Sequence, residues 1–336
     1  GCPNRRGLYS MRIFVARRVP DAGLNLLFDA FGKENVVVFP EDRIISRDEL
    51  LAGVKGADAI LPILTDKIDS EVLDAAGPQL RIVANFAVGY NNIDVPAATA
   101  RKVPITNTPG VLTDTTADLT FALILSVARR TGEGERMVRA RQWPGWGPMQ
   151  LLGSDVYGKT LGIFGMGRIG QAVVRRALGF DMKILYTNRN RPDAATEQRL
   201  GARYVDKATL LAESDYISIH CPMLPETTHA FGAAEFSAMK KTAYLINTSR
   251  GPVVDEAALV NALHNGEIAG AGLDVYEQEP VIHEGLYACE NAVIIPHLGS
   301  ATLETRGRMA SIAATNIIAR LRGERPPNCV NPEVLG

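Results

Sequence analysis

Three side chains in the second half of the chain have the types and positions for carbonyl chemistry. Arg250 lies in Asn247-Thr248-Ser249-Arg250-Gly251, Glu279 in Tyr276-Glu277-Gln278-Glu279-Pro280, and His297 in Pro296-His297-Leu298-Gly299-Ser300. Each follows a short apolar run that reads as a late strand, and open α/β sheets place their ligand crevice beyond the carboxyl ends of the strands. A guanidinium can clamp a substrate carboxylate through paired hydrogen bonds and polarise a carbonyl. An imidazole titrates near neutrality and can exchange the proton that accompanies hydride transfer. A buried glutamate beside it would favour the imidazolium and fix its orientation. Taken singly, each residue has an ordinary structural use: Arg250 in a salt bridge, Glu279 as one of two acids in a surface turn, His297 at a helix cap. Jointly they suit one crevice in which a carbonyl and its alcohol interconvert. The other histidines (His220, His229, His264 and His283) show no metal-ligand spacing, so no metal is expected.

The elements that must position this set begin at Gly165-Met166-Gly167-Arg168-Ile169-Gly170. A G-x-G-x-x-G match is weak in a chain with 31 glycines, but its context is specific. An apolar strand, Thr160–Phe164, precedes it; a helical stretch, Gln171 to Leu178, and a second apolar strand, Met182 to Tyr186, follow. The glycines permit a tight turn and close backbone approach to a pyrophosphate, and the helix N-terminus offers that anion free N–H groups. A dinucleotide site is expected here.

Short strands alternate with helical patterns almost throughout, as in α/β layers built on parallel sheets. The first series has strands at Arg12–Ala16, Val36–Phe39, Asp58–Ile63, Arg81–Asn85 and Pro104–Thr106, with helices at Asp21–Phe31, Ser46–Leu51 and Ser70–Ala76. The second runs from Leu161 through Lys183–Thr187, Asp215–His220, Ala243–Asn247, Ala269–Val275 and Ala292–Ile295. Between them, Val111 to Arg141 reads as a long helical pattern capped by Thr113, with Leu119, Ala122, Leu123 and Ser126 on one face and a break or bend possible at Gly132 and Gly134. Apolar residues on more than one side suggest that it crosses between domains or packs on a second subunit. The loop Gln142–Pro148 carries Trp143 and Trp146, which suit an interface, a pocket lid or local packing equally. A last helix, Leu303 to Leu321, has no strand left to follow it in the second sheet. It is expected to return to the first domain and make that domain discontinuous. The fold expected is thus α/β with two Rossmann-like parallel-sheet domains and a cleft between them. Residues 11–108 and 299–336 form the substrate domain and 109–298 the NAD(P)-binding domain, with 1–10 a tag-like extension.

Bulk properties narrow the function. The 336 residues are 46% hydrophobic and 22% charged with a net charge of −1, and no apolar stretch reaches membrane-spanning length. Basic residues are scattered, so neither nucleic acid nor a membrane surface is an expected partner. Cys2, Cys221, Cys289 and Cys329 form no C-x-x-C pair, and no signal peptide is evident; reduced thiols and a cytoplasmic location are expected.

The chain resembles the D-isomer-specific 2-hydroxyacid dehydrogenases. In the first half the likeness rests on Asn85-Phe86-Ala87-Val88-Gly89-Tyr90-Asn91-Asn92-Ile93-Asp94 and Asn107-Thr108-Pro109. In the second it rests on the Gly165 motif, Asn247–Gly251, Gly272-Leu273-Asp274-Val275 and Pro296–Ser300. It spans almost everything from Met11 to Pro327, with the motifs in order, and is nearest to the glyoxylate and hydroxypyruvate reductases. Asn91 stands where many relatives carry Asp. The resemblance implies that Arg250 holds the substrate carboxylate and carbonyl, that His297 is the acid/base and that Glu279 supports it. It further implies substrate contacts at Leu64 and from the N–H groups of Val88 and Gly89 in the opposite domain. Asp274 would lie near the nicotinamide carboxamide. Further cofactor contacts are implied at Thr116, at Cys221, Pro222 and Thr227, at Thr248 and Ser249, and at Gly299 and Ser300. A homodimer through the 111–150 region is expected.

NAD-preferring folds carry an acid at the end of the second strand, about 20 residues past the glycines, to accept from the ribose 2′-OH. Here that strand ends in Thr187-Asn188-Arg189-Asn190-Arg191, without an acid. Asn188 and Arg189, with Asn190 and Arg191 beside them, could bind a 2′-phosphate, so NADP(H) is expected over NAD(H); a merely solvated basic loop is the plainer alternative. The reaction expected is reduction of a small 2-keto acid, such as glyoxylate or hydroxypyruvate, to the 2-hydroxy acid. Rival readings are a related dehydrogenase acting on 2-ketogluconate, phosphoglycerate or phosphite, and a dinucleotide-sensing protein like the co-repressors built on this scaffold. The apolar Ile60–Thr65 offers no base to a phosphorylated substrate, and no tail beyond the short N-terminal extension serves a co-repressor.

Overall fold

The computed structural model describes Gly7 and residues 10–336. The expected extension over residues 1–10, with Cys2, lies outside the described residues except for Gly7 and Ser10. The chain divides into two compact units, one running up to Leu112 and resuming at Ala301–Gly336, the other Thr113–Ser300.

In the first unit, strands β1 (Ile13–Val15), β2 (Val36–Val38), β3 (Ala59–Leu61), β4 (Ile82–Ala84) and β5 (Ile105–Thr106) pair in parallel in the order 2-1-3-4-5. Their cores read Ile-Phe-Val, Ala-Ile-Leu and Ile-Val-Ala, uninterrupted apolar runs buried on both faces as parallel strands under helices require. Helix α1 (Asp21–Phe31) buries Leu24, Leu27 and Phe31, one helical face. Helices α2 (Arg47–Gly53), α3 (Ser70–Ala76) and α4 (Val95–Ala100) start at Ser46, Asp69 and Asp94, whose side chains accept first-turn N–H groups.

The second unit opens with α5 (Thr113–Arg129) and α6 (Thr131–Arg139). The long helical pattern over 111–141 is therefore two helices, broken before the glycines at which a break or bend was expected. The break falls at Arg130, which adopts a left-handed φ of 54° and bonds Glu133 and the Leu152 carbonyl; Gly132 and Gly134 sit inside α6. Thr113 is a first-turn residue, not the flanking cap. The buried stripe of α5 is Thr116, Ala117, Thr120, Phe121, Leu123, Ile124, Val127 and Ala128; of the face expected, only Leu123 is buried. Strands β6 (Thr160–Phe164), β7 (Lys183–Thr187), β8 (Ala202–Tyr204), β9 (Tyr216–Ile219), β10 (Tyr244–Asn247), β11 (Gly270–Leu273) and β12 (Ala292–Ile294) form a parallel sheet in the order 12-11-10-9-6-7-8. Edge strand β8, largely exposed, has no apolar run to announce it in the sequence. Helices α7 (Arg168–Leu178), α8 (Ala194–Leu200), α9 (Lys207–Glu213), α10 (Ala233–Ala238) and α11 (Glu256–His264) connect the strands. Finally α12 (Leu303–Leu321) belongs to the first unit, where Ala310, Ala313, Ala314 and Ile317 share a core with Leu24, Leu27 and Phe31 of α1. No helix among the described residues is long and apolar enough to cross a membrane.

Candidate functional site

Parallel pairing puts the carboxyl ends of β6–β12 on one edge of the second unit's sheet. Following the strand order, that edge presents His297 after β12, Asp274 and Glu279 after β11, Arg250 after β10, Cys221 after β9, the glycine turn after β6 and Asn188 after β7. Strand order reverses direction between β9 and β6, the switch point at which open α/β sheets bind ligands. Neighbouring strands lie about 4.8 Å apart, so the edge is an extended row with the titratable groups at one end and Asn188 at the other.

The glycine turn suits a pyrophosphate. Gly165 has φ +103°, and a Cβ there would sit 2.6 Å from the Cys221 nitrogen. Gly170 packs against the turn: a Cβ would lie 2.3 Å from the Gly165 carbonyl oxygen. Gly167, exposed and with open space around it, precedes α7, whose N-terminus no side chain caps. Buried Met166 donates its N–H to Asn188 Oδ1 at 3.0 Å, tying the turn to the end of β7; Arg168 is exposed and Ile169 half-buried. A backbone cradle, an uncapped helix start and a strap from the second strand together fit a dinucleotide.

Beyond β7, Arg189 is exposed and 3.4 Å from Glu226, and Asn190 is exposed, its carbonyl accepting from the Asn188 amide. Arg191 is committed elsewhere: it pairs with Glu197 at 2.6 Å, lies over the Tyr204 ring, and shares Glu197 with the Tyr186 hydroxyl. The loop lacks an acid in sequence, yet acids from α8 and the 224–228 turn reach its arginines. Thr227 closes that turn, accepting the Leu224 N–H and donating to the Pro222 carbonyl; Pro222 itself is exposed.

At the other end, His297 and Glu279 meet: His297 Nδ1 and Glu279 Oε2 are 2.8 Å apart, and Glu279 Oε1 accepts the Tyr276 N–H at 3.1 Å. His297 has a left-handed φ of 55°, a conformation in which His is enriched, and its Nε2 has no partner among the described residues. Burial would raise the Glu279 carboxyl, but the hydrogen bond and charge of His297, the Tyr276 N–H and the charge of Arg250 hold it below the ordinary carboxylate value. Asn247 shapes the arginine segment: its Oδ1 accepts the Ser249 N–H at 3.0 Å and its amide donates to the Arg250 carbonyl at 3.0 Å. The Arg250 guanidinium donates to the Ser249 carbonyl and joins no salt bridge among the described residues. Burial pushes its pKa down, opposed by the charge of Glu279.

Fully buried Asp274 accepts the N–H groups of Leu298 at 2.6 Å and Gly299 at 2.9 Å, so it shapes the segment that carries His297. Burial pushes its carboxyl up to about 6, against those two hydrogen bonds and the charge of His297. Buried Thr116 donates to the Gly299 carbonyl, and half-buried Ser300 follows. Thr248 shares a hydroxyl contact of 2.9 Å with Thr120, and Ser249 donates to the Cys221 carbonyl. Tyr276, unnoticed in the sequence, donates to the carbonyls of Leu273 and Ile295 and so straps the ends of β11 and β12.

In the first unit, half-buried Val88 and Gly89 lie on the loop after β4, and their N–H groups have no partner among the described residues. Three asparagines hold that loop: Asn85 donates to the Gly89 carbonyl, Asn107 to the Val88 carbonyl, and Asn92 pairs with Asn85. Asn92 also donates to the carbonyls of Ile63 and Asp66, which bracket exposed Leu64.

A family model described as D-isomer specific 2-hydroxyacid dehydrogenase, NAD binding domain, matches residues 121–299. A glyoxylate reductase of Thermococcus litoralis is 49% identical over 328 residues, covering 96% of this chain and 98% of its own. Another, of Korarchaeum cryptofilum, is 52% identical over 326 residues, covering 96% and 97%. An NADPH-dependent glyoxylate/hydroxypyruvate reductase of Sinorhizobium meliloti, solved in complex with NADP and malonate, is 34% identical with a TM-score of 0.82, covering 95% of this chain and 96% of that one. With a family model matching over half of its length and such relatives matching nearly all of it, this chain belongs to the D-isomer specific 2-hydroxyacid dehydrogenases.

Proposed function

We propose that this oxidoreductase uses NADPH to reduce small 2-keto acids, glyoxylate and hydroxypyruvate foremost, to 2-hydroxy acids, the D isomer where the product is chiral. The observation that carries this is the His297–Glu279 contact at 2.8 Å on the strand edge that also bears Arg250, a guanidinium without a salt bridge among the described residues. Reduced nicotinamide, when bound, supplies the hydride for the keto carbon. Protonated His297 holds its proton at Nε2 for the keto oxygen, while Glu279 at Nδ1 fixes the ring. Arg250 binds the substrate carboxylate and stabilises the developing oxyanion, worth roughly a few kcal/mol at comparable sites. The N–H groups of Val88 and Gly89 are assigned to the substrate carboxylate, and Leu64 to its side chain. Gly165–Gly170 and the backbone around Cys221, Thr248 and Gly299 hold the dinucleotide.

NADPH is preferred in this reading because no carboxylate ends β7 to accept from a ribose 2′-OH, and exposed Arg189, although 3.4 Å from Glu226, is the base offered to a 2′-phosphate. The relative solved with NADP supports it. A second copy of the chain is proposed to cover the 111–150 region, where Val138, Trp143, Trp146 and Met149 are exposed, Trp146 to 84%. A cytoplasmic setting is proposed from the free thiols of Cys221, Cys289 and Cys329.

The test is a steady-state panel of glyoxylate, hydroxypyruvate, 2-ketogluconate and pyruvate with each cofactor. The highest kcat/KM is expected for glyoxylate or hydroxypyruvate with NADPH. A higher value with NADH across the panel would overturn the cofactor reading, and a clear preference for 2-ketogluconate the substrate reading.

A further inference from the structure

Glu279 sits on the tip of a short loop, and a buried carboxylate elsewhere grips both feet of that loop. The loop starts at Tyr276, three residues past the end of β11, and doubles back, with Val281 donating to the Gln278 carbonyl at 2.9 Å and Glu279 in the turn between. Glu256, in the first turn of α11 and only 7% exposed, accepts the Glu277 N–H at 3.1 Å on Oε1 and the His283 N–H at 2.8 Å on Oε2. Its own N–H donates back to Glu277 Oε2 at 3.3 Å, and Glu277 also pairs with His229. Both Glu256 carboxylate oxygens are therefore spent on the backbone either side of Glu279.

We propose that Glu256 is a positioning residue for the reduction: by clamping both feet of the 277–283 loop, it sets where Glu279 meets His297. This rests on the assignment of Glu279 and His297 as a working pair. A carboxylate suits the task because each oxygen accepts one N–H, and the N-terminal turn of α11 favours its charge. Glutamine, with one carbonyl oxygen, keeps one of the two bonds and turns an NH2 group toward the other N–H. The released foot lets Glu279 drift relative to His297, and a misplacement of about 1 Å in such a group costs on the order of 100-fold in turnover.

The test combines a double-mutant cycle with backbone exchange in the full-length protein. Glu256→Gln is expected to lower kcat for glyoxylate roughly 10- to 100-fold, with KM for NADPH unchanged. In a Glu279→Gln background, Glu256→Gln should cost almost nothing further, because both act through one contact. In the cofactor-free protein, hydrogen exchange of the segment spanning 277–283 should accelerate in Glu256→Gln and not in Glu279→Gln. Wild-type kcat in Glu256→Gln, losses that multiply in the double variant, or unchanged exchange would each overturn the inference while leaving the His297–Glu279 assignment standing. A Glu279→Gln variant with wild-type kcat would overturn that assignment itself, and the inference with it. Should Glu256→Gln fail to fold, Glu256→Asp, which keeps the charge but shortens its reach, is expected to show a smaller kcat loss with the same non-additivity; losses that multiply with Glu279→Gln would overturn the inference.

Discussion

Replacing Gly251 with alanine tests whether the spacing of two segments sets the chemistry. Gly251 follows Arg250, and its Cα faces the backbone of the Glu279 loop: an added Cβ would lie 1.9 Å from the Tyr276 carbonyl carbon and oxygen and 2.6 Å from the Glu277 nitrogen. Its φ is not left-handed, so alanine meets no conformational penalty; the conflict is purely steric. Real Cβ contacts essentially never fall under 3.0 Å, and the obstacle is backbone on both sides, so the segments must separate by about 1 Å. Tyr276 donates the N–H that anchors Glu279, so the separation passes to the Glu279–His297 pair and away from Arg250. Overpacking of this kind costs on the order of 1–3 kcal/mol of stability. The misplacement is expected to lower kcat/KM for glyoxylate about 100-fold, or about 2.7 kcal/mol of transition-state stabilisation. Turnover followed by NADPH absorbance, beside NADPH binding by fluorescence, separates the effects: binding should hold, because the Gly165 turn is untouched. Gly307→Ala in α12 is the control, since a Cβ there meets Ala22 at an ordinary 3.9 Å. Near-wild-type kcat/KM in a folded Gly251→Ala protein would refute the idea that this close approach governs the site.

Three further outcomes are expected. His297→Asn should lower kcat by about 10²- to 10⁴-fold with NADPH binding intact; near-native turnover would remove His297 as proton donor. Arg189→Ala should raise the Kd of NADPH about 10-fold or more and leave NADH nearly unchanged, since a charge-assisted contact is worth roughly 1.5–3 kcal/mol; equal effects on both would deny it the 2′-phosphate. Asp66, 3% exposed with its Oδ2 on the Ile63 N–H, has its carboxyl pushed up by burial from 3.8 to about 6, against that hydrogen bond and the charge of Arg17. A folded-state pKa above the unfolded one gives stability that is full below about pH 4 and lost as pH rises through about 6, leaving a cost near 3 kcal/mol at neutral pH. Asp66→Asn keeps the acceptor without the charge, so its stability advantage in calorimetry should appear above pH 6 and fade toward pH 4; an advantage independent of pH would contradict the shift.

Most of the strand pattern was legible because parallel strands covered on both faces are continuous apolar runs, as in Ile13–Val15 or Ala59–Leu61. Arg250, Glu279 and His297 stood out as candidates only jointly, each just past an apolar run at the strand ends where α/β sheets bind ligands, and the fold brings two of them, His297 and Glu279, within 2.8 Å. The missed features lack a local signature. Edge strand β8 carries no apolar run, and the break after α5 lies at an arginine whose support, Glu133, also suits an ordinary helix turn. Glycines are poor witnesses to helix ends when, like Gly132 and Gly134, they lie within a helix. The acid that engages Arg191 is Glu197, six residues on and in the next helix, so a scan for an acid at the end of β7 passes over it.

Glu256 shows why a site's supports are harder to read than its reactive groups. In Val254-Asp255-Glu256-Ala257 it looks like the second acid of a helix start, and Asp255 does take the cap by accepting the Ala258 N–H. Its partners are backbone N–H groups, which every residue but proline carries, so no residue type at 277 or 283 betrays the contact. The same holds for Asp274 on the Leu298 and Gly299 N–H groups, and for Asn92 on the carbonyls of Ile63 and Asp66. What places Glu256 and Asp274 is the strand order of the second unit's sheet: β12, β11 and β10 stand side by side with β6 two steps further along. Segments up to 130 residues apart in the chain thus share one edge, and the carboxylates and amides that hold them become recognisable only there.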